Sequence, residues 1–187
     1  MKNLILVLSI VSILGGFNTY AVAGDSTEQF KLMKTLRGSW KLSPATVQEG
    51  KTTTNKVVAP LVGKNIVAIN FKVIGKGSTV QENLLPGTKK EMATMYHCDN
   101  FKDCQKVQAK HYCAKQNQPE LVAEDISKDN ELVMNCDMST GLCNSKAGHV
   151  HKITHKLLSS NHLKTTYTIF KGGKFKKNSI YHFERIN

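Results

Sequence analysis

The sequence contains few prolines and few aromatic residues, and its cysteines are sparse. Four of the 187 residues are Pro, 7% are aromatic, one is Trp and five are Cys. This composition excludes a collagen-like repeat and a disulfide-dense miniprotein, and the length excludes a large multidomain protein. With 40% hydrophobic and 21% charged residues, the chain has the composition of an ordinary globular protein of about one domain.

The signatures of familiar enzymes are missing as well. The chain contains no Ser-His-Asp signature, no His-Glu-x-x-His helix and no Gly-rich phosphate loop. We therefore predict no catalytic residue, no cofactor and no metal ligand, and a binding protein is favoured over an enzyme. The alternative is an enzyme that uses interior His, Glu or Cys, with or without a metal, for hydrolysis or isomerisation.

Acidic residues are scarce relative to basic ones. The 14 Asp and Glu stand against 26 Lys and Arg, which gives a formal net charge of +12. A basic surface can attract nucleic acid, lipopolysaccharide or an anionic membrane. The lysines, including a cluster within residues 171–177, are not accompanied by surface aromatics on which bases could stack. We expect a solvated cationic surface and no nucleic-acid partner.

A long apolar run occurs only at the start of the chain. Residues 4–14 follow a short positive start and have the length of a signal-peptide core, too short to span a bilayer. The small residues Ala21 and Ala23 fit the pockets of a signal peptidase. We predict cleavage after Ala23, a single domain over residues 24–187, export to the periplasm or beyond, and no stable membrane insertion.

The five cysteines all lie in the predicted mature chain, where an oxidising compartment would favour disulfides. Cys98 and Cys104 enclose one short polar loop, and Cys136 and Cys143 enclose another. Pairing within each loop is the simplest arrangement and leaves Cys113 free. Four cysteines allow three connectivities, so the spacing alone does not decide among them.

Periodicity predicts one helix followed by strands. Residues 26–36 are predicted to form a short helix because their apolar residues share one face and Gly38 can end it. Apolar and polar residues then alternate with a period of two, between turns such as Pro86-Gly87 and residues 171–174. About eight to ten short strands without a crossover helix predict an all-β fold, a closed antiparallel up-and-down barrel that can enclose a ligand.

Several inward positions of these strands carry polar or ionisable side chains. They are Glu82, His111, Cys113, His149, His151 and Tyr167, with Glu91 and His97 placed beside them. Such groups in one lumen suit a hydrogen-bonded polar core, the polar part of an organic-ligand pocket, or zinc. We treat these residues, apart from Glu91, as candidate ligand-binding residues. By contrast, His182 alternates with Tyr181 and Phe183 and is expected on the outer surface.

The two ends of the barrel sequence resemble lipocalin and calycin barrels. A short helix followed by Gly38-Ser39-Trp40 resembles the opening of those proteins, and Arg185 occupies the place of their last-strand arginine. The resemblance implies that Trp40 plugs the closed end of the barrel and that Arg185 packs over its ring. A guanidinium over an indole stabilises by roughly 0.5–2 kcal/mol.

The middle of the chain resembles a group of uncharacterised bacterial lipocalin-like barrel proteins. The similar segments are ENLLPGT at residues 82–88, HYC at 111–113, NQP at 117–119 and GHVH at 148–151. The resemblance covers residues 36–186 and implies a fold, without an activity. The two predicted disulfide loops and the many lysines depart from it, and the Gly-x-Trp-x-Gly-x-Gly start of the nitrobindin haem barrels is absent.

These observations together predict an exported protein that binds a small molecule. A largely apolar ligand would lie in the lumen, and Glu82, His111 and His151 would hold its polar end. The sequence does not indicate an oligomeric state.

Overall fold

The computed structural model describes residues 24–49, 55–100, 102–124 and 130–186, so the predicted signal peptide lies outside the described residues. The described chain forms a helix followed by ten strands. The elements are α1 (Gly24–Thr35), β1 (Gly38–Leu42), β2 (Ile69–Ile74), β3 (Thr79–Leu84), β4 (Met92–Cys98), β5 (Val107–Tyr112), β6 (Glu120–Ala123), β7 (Glu131–Cys136), β8 (His149–Ser159), β9 (His162–Lys171) and β10 (Lys174–Arg185).

The ten strands form one closed antiparallel barrel in chain order. β1 completes the ring, because Trp40 pairs with Arg185 of β10 on one side and with Ile69 of β2 on the other. Every strand of the closed ring has a neighbour on both sides, which limits the edge that another chain could join. The predicted fold class, an all-β up-and-down barrel with a short N-terminal helix, is confirmed. This architecture is consistent with a lipocalin-like barrel.

Alternation of side chains determines which residues fill the interior. In β3, Val80, Glu82 and Leu84 are buried while the residues between them are half-buried. The same alternation places Leu163, Thr165 and Tyr167 of β9 inside. Successive side chains of a strand point to opposite faces, so one residue in two reaches the interior of the barrel.

Helix α1 covers one end of the barrel, which we call the closed end. The Ser26 hydroxyl donates to the carbonyl of Gln105, and the Gln29 amide donates to the carbonyl of Glu124, both at 2.8 Å. The helix therefore contacts the ends of β5 and β6 through hydrogen bonds as well as packing. Its buried apolar face contains Phe30 and Met33, and Leu36 is buried just after the helix.

Trp40 and Arg185 tie the helix to the barrel at this end. The indole of Trp40 is fully buried, and its N–H donates to the carbonyl of Leu36 at 2.9 Å. The Arg185 guanidinium lies 4.1 Å from the centre of the indole. The same guanidinium donates to the carbonyls of Arg37 at 2.7 Å and Thr35 at 3.1 Å. Arg185 thus stacks on the ring and also satisfies carbonyls at the C-terminal end of α1.

Two disulfides lie at opposite ends of the barrel. Cys98 is bonded to Cys104 at the closed end, with Cα atoms 5.2 Å apart. Cys136 is bonded to Cys143 at the other end, with Cα atoms 5.6 Å apart. Among the described residues, Cys113 is the cysteine without a disulfide partner. These are the pairs predicted from the loop spacing, and two such bonds indicate an oxidising environment outside the cytoplasm.

The prediction that His182 lies on the surface is wrong. The 3-10 segment Pro44–Val47 packs over β10, so His182 is only 5% exposed. Its Nδ1 lies 2.8 Å from Nε2 of His162, and its Nε2 lies 3.3 Å from the carboxylate of Glu49. Strand alternation correctly separates His182 from the lumen, but it cannot reveal that a distant segment returns to cover the outer face.

Within residues 24–49, 55–100, 102–124 and 130–186, no helix has both the length and the apolar character needed to cross a bilayer.

Candidate functional site

A buried carboxylate, Glu82, lies at the centre of a polar network inside the barrel. The Tyr96 and Tyr167 hydroxyls each donate to one carboxylate oxygen at 2.5 Å. The Nε2 atom of His155 lies 3.2 Å from the same carboxylate and 2.8 Å from the Tyr96 hydroxyl. The other ring nitrogen of His155 contacts Thr165 at 3.0 Å. Every ionisable group in this network therefore has hydrogen-bond partners.

The network changes the proton affinities of its members. Burial would raise the pKa of Glu82, but the hydrogen bond and charge of His155 and the two tyrosine hydroxyls outweigh it, so the pKa is lowered. Burial, together with the charge of Glu82, raises the pKa of Tyr96 and Tyr167 well above the usual tyrosine value. Both tyrosines therefore remain hydrogen-bond donors to an ionised carboxylate.

His111 is a second buried polar group, on β5. Its Nδ1 lies 2.8 Å from the hydroxyl of Thr94, while its Nε2 is buried without a hydrogen-bond partner. Burial lowers the pKa of His111 to about 4, and the nearby charge of Glu82 opposes this shift only partly. His111 is therefore neutral at physiological pH and belongs to the packed interior.

A cavity opens at the end of the barrel opposite α1, which we call the open end. Its volume is about 330 Å³, within the usual range for small-molecule sites. Apolar and aromatic side chains form most of its wall, and Tyr167 connects it to the Glu82 network. The wall residues of this kind are Leu85, Met92, Val150, Tyr167, Ile169 and Tyr181.

Four lysines surround the same cavity. They are Lys89, Lys90, Lys115 and Lys177, and none of the described residues that line the cavity is Asp or Glu. Partial burial and the neighbouring charges of Lys177 and Lys115 lower the pKa of Lys90. The ammonium group of Lys90 thus lies close enough to those of Lys177 and Lys115 to be repelled, and a bound anion would relieve that repulsion.

The structure separates the predicted site residues into groups. Tyr167, Cys113 and His149 line the open-end cavity. Glu82 and His111 are fully buried and are not among the residues that line it. The predicted polar residues are therefore not gathered in one ligand pocket, because the middle of the barrel is filled by the Glu82 network.

Two further predicted positions lie elsewhere. His97 occupies the face of β4 opposite Thr94 and Tyr96, and it lines a cavity of about 430 Å³ beside α1. The expectation that His97 faces the lumen is wrong, because the register of β4 assigns that face to its neighbours. Glu91 is exposed in the β3–β4 turn, where it accepts hydrogen bonds from Asn83 and from the backbone of Gly87.

A β-bulge changes the face assignment at the start of β8. The pairing with β9 shifts between Val150 and Lys152, so Val150 is buried and lines the cavity although strict alternation placed it outside. His151 is half-buried and stacks on Phe170, with ring centres 3.8 Å apart. A period-two pattern does not show an extra residue in one strand. The sequence therefore could not reveal that Val150, and not His151, lines the cavity.

The bulge also brings three potential metal ligands together. Single ligand atoms of Cys136, His149 and His151 all lie within 4.8 Å of one another. The Nε2 of His149 is 3.0 Å from Nδ1 of His151, and Nδ1 of His149 is 2.9 Å from the carbonyl of Ala147. In this structure the sulfur of Cys136 belongs to the disulfide with Cys143.

Sequence reasoning missed several residues of the interior network and of the cavity rim. Tyr96 and His155 share the inward faces of β4 and β8, and strand alternation alone could have identified them. The lysines of the rim could not be identified in this way, because they come from turns and strand ends whose spatial proximity depends on barrel closure.

No protein-family model and no curated protein matches this chain.

Proposed function

We propose that this protein binds a small amphiphilic anion at the open end of the barrel. The apolar part of the ligand enters the cavity, and its anionic group lies among the four lysines. The observation that carries this proposal is the combination of a largely apolar cavity of about 330 Å³ with a rim that is basic and, in the described residues, without acidic groups.

The cavity wall favours an apolar ligand group. Leu85, Ile169 and Val150 offer aliphatic contacts, and Tyr181 adds an aromatic surface. Burial raises the pKa of Tyr181 to about 12, so this side chain presents a neutral ring. Burying apolar ligand surface contributes roughly 25 cal/mol per Å² before the costs of association.

The lysine rim selects the sign of the ligand charge. A carboxylate or phosphate between Lys90 and Lys177 would accept charge-assisted hydrogen bonds, each worth roughly 1.5–3 kcal/mol. A cationic ligand would add to the existing repulsion. This role differs from the sequence prediction, in which Glu82, His111 and His151 hold the polar end. The enzyme alternative stays a prediction.

We also propose that this protein is exported. The signal-peptide pattern of residues 1–23 and the two disulfides support a mature protein of residues 24–187 in the periplasm or outside the cell. N-terminal sequencing of the protein from the exported fraction is expected to begin at Gly24. An N-terminus that retains residues 1–23 would contradict this part of the proposal.

Binding can be tested with a fluorescent alkyl carboxylate and its uncharged methyl ester. We expect the carboxylate to bind more tightly, by about tenfold or more, because only the carboxylate can interact with the lysine rim. Ile169→Trp fills the cavity and is expected to abolish binding of both probes. Lys90→Glu combined with Lys177→Glu is expected to weaken binding of the carboxylate and to leave binding of the ester nearly unchanged.

Lys76→Glu is a control for charge reversal away from the rim, because Lys76 lies in the β2–β3 connection at the closed end. It changes the net charge in the same direction without altering the rim, so it should preserve probe binding. Equal affinities for the two probes would overturn the role of the lysines, and full binding by Ile169→Trp would overturn the location of the site.

A further inference from the structure

The disulfide at the open end differs from the other disulfide in having two histidines beside it. The ligand atoms of Cys136, His149 and His151 lie within 4.8 Å of one another, and Cys143 is bonded directly to Cys136. His149 and Cys136 are almost fully buried, so the cluster has a fixed position between β7 and β8. Two Cys and two His are the ligand set of many structural zinc sites.

We infer that reductive opening of the Cys136–Cys143 disulfide converts this cluster into a zinc site formed by Cys136, Cys143, His149 and His151. A dithiol reductant supplies the two electrons and two protons, so the S–S bond breaks, two protein thiols form and the reductant becomes a disulfide. Zinc then displaces one proton from each thiol. The inference does not depend on the ligand proposed above.

The hydrogen bonds of the histidines already favour coordination. Nδ1 of His149 can donate its proton to the carbonyl of Ala147 at 2.9 Å, which leaves the Nε2 lone pair directed towards His151. Coordinating histidines commonly donate their second ring N–H to a backbone carbonyl, which fixes the tautomer and the ring orientation. The His151 ring is held by its stacking on Phe170, so binding requires a change of tautomer at His151 and little movement.

Local charge favours both thiolates as ligands. The open end is lined by lysines, which disfavour an added cation. Zinc bound by two thiolates and two neutral imidazoles has no net charge, whereas zinc bound by the two histidines alone retains its full charge. The oxidised protein, which offers only imidazoles, should therefore bind zinc far more weakly than the reduced protein.

The test compares the purified protein before and after anaerobic reduction by a phosphine, followed by removal of the reductant. Competition with a chromophoric chelator is expected to show that reduction strengthens zinc binding by roughly 1,000-fold, since two of four ligands are gained. Cobalt substituted for zinc should give a thiolate-to-metal charge-transfer band in the near ultraviolet and the visible bands of a tetrahedral ion.

Variants identify the ligands. We expect His149→Ala and His151→Ala each to weaken zinc binding by the reduced protein roughly 100-fold, and Cys136→Ser with Cys143→Ser to abolish the charge-transfer band. Cys98→Ser with Cys104→Ser is the matched control, since it removes a disulfide loop of similar size at the closed end. His97→Ala removes a histidine adjacent to that control loop. Neither control should change the cobalt spectrum.

If the protein stays folded on reduction, two results would overturn the inference. One is a reduced, folded protein, as judged by circular dichroism, that shows no charge-transfer band with cobalt. The other is a band that persists when Cys136 and Cys143 are both replaced, because the metal would then lie elsewhere. If reduction itself unfolds the barrel, zinc is expected to restore the fold by mass action, and failure to do so would also contradict the inference.

Discussion

The two ends of the barrel contrast in almost every physical property. At the closed end, α1 covers the barrel, Trp40 is fully buried, and Arg185 donates hydrogen bonds to the carbonyls of Arg37 and Thr35. At the open end, the strands surround a cavity and lysines lie near one another without acidic partners among the described residues. Trp40 and Arg185 at the closed end are hydrogen-bonded within the protein, whereas the lysines at the open end are placed to bind an external anion.

The largest expected effect tests the closed end. Trp40→Ala removes a fully buried indole and its hydrogen bond to Leu36, so we expect the free energy of unfolding to fall by about 3–5 kcal/mol. Urea denaturation measures this loss. Trp40→Phe, which retains an aromatic ring, should recover part of it. A loss below about 1 kcal/mol would show that the closed end does not depend on the indole.

The next effect concerns the buried middle of the barrel and its response to acid. The pKa of His111 is about 4 when folded and about 6.5 when exposed, so between these pH values the unfolded chain binds a proton that the folded protein excludes. Stability should therefore be fully present above pH 6.5 and fall by about 3 kcal/mol as the pH decreases towards 4. Denaturation across this range measures the slope.

His111→Asn is the matched variant for this prediction. An amide can retain the contact with Thr94 but does not titrate, so the slope between pH 6.5 and 4 should flatten. Glu82 provides the internal comparison. Because its pKa is lowered in the folded protein, its contribution is present above its usual pKa and is lost as the pH falls further. An unchanged slope in His111→Asn would contradict the assignment.

A smaller effect is expected at the link between α1 and the last strand. Arg185→Lys keeps the positive charge but cannot donate to Arg37 and Thr35 while stacking on the indole. We expect a loss of about 1–2 kcal/mol in the free energy of unfolding. Lys41→Arg on β1 is a control that alters a neighbouring half-buried cation. An unchanged free energy of unfolding in Arg185→Lys would show that packing alone links α1 to β10.

The smallest expected effect tests the lysine rim at the open end. Lys90→Gln and Lys177→Gln remove charges that repel each other, so stability should stay within about 0.5 kcal/mol or rise slightly. Thermal unfolding at low and high salt measures this. Added salt should stabilise the parent protein more than the variants, because salt screens the repulsion between the lysines and the variants no longer have this repulsion. A clear destabilisation would mean that the rim contributes to the fold.

The sequence correctly predicted the features that follow from a single local pattern. Alternation in β3 and β9 correctly placed Glu82 and Tyr167 inside, and the short loop spacing predicted both disulfides. The resemblance of the helix, Trp40 and Arg185 to the two ends of lipocalin barrels implied the closed end, and the structure brings Trp40 and Arg185 into contact there.

The candidate site was less accessible to sequence reasoning. The face of Val150 depends on a bulge, and the lysine rim depends on which turns meet after the barrel closes. The strands β6 and β7 were not predicted individually, and β6 has only four residues. Side-chain faces follow from local periodicity, but the sharing of a cavity by Lys90 and Lys177 is a property of the whole ring.

The seam between the first and last strands has a consequence for how this chain acquires its shape. Ser43 and Glu184, which share a hydrogen bond across the seam, are 141 residues apart. A contact of such long range forms late and slowly, since most of the polypeptide must be ordered before it. A ribosome-bound nascent chain without its final residues therefore cannot complete the ring.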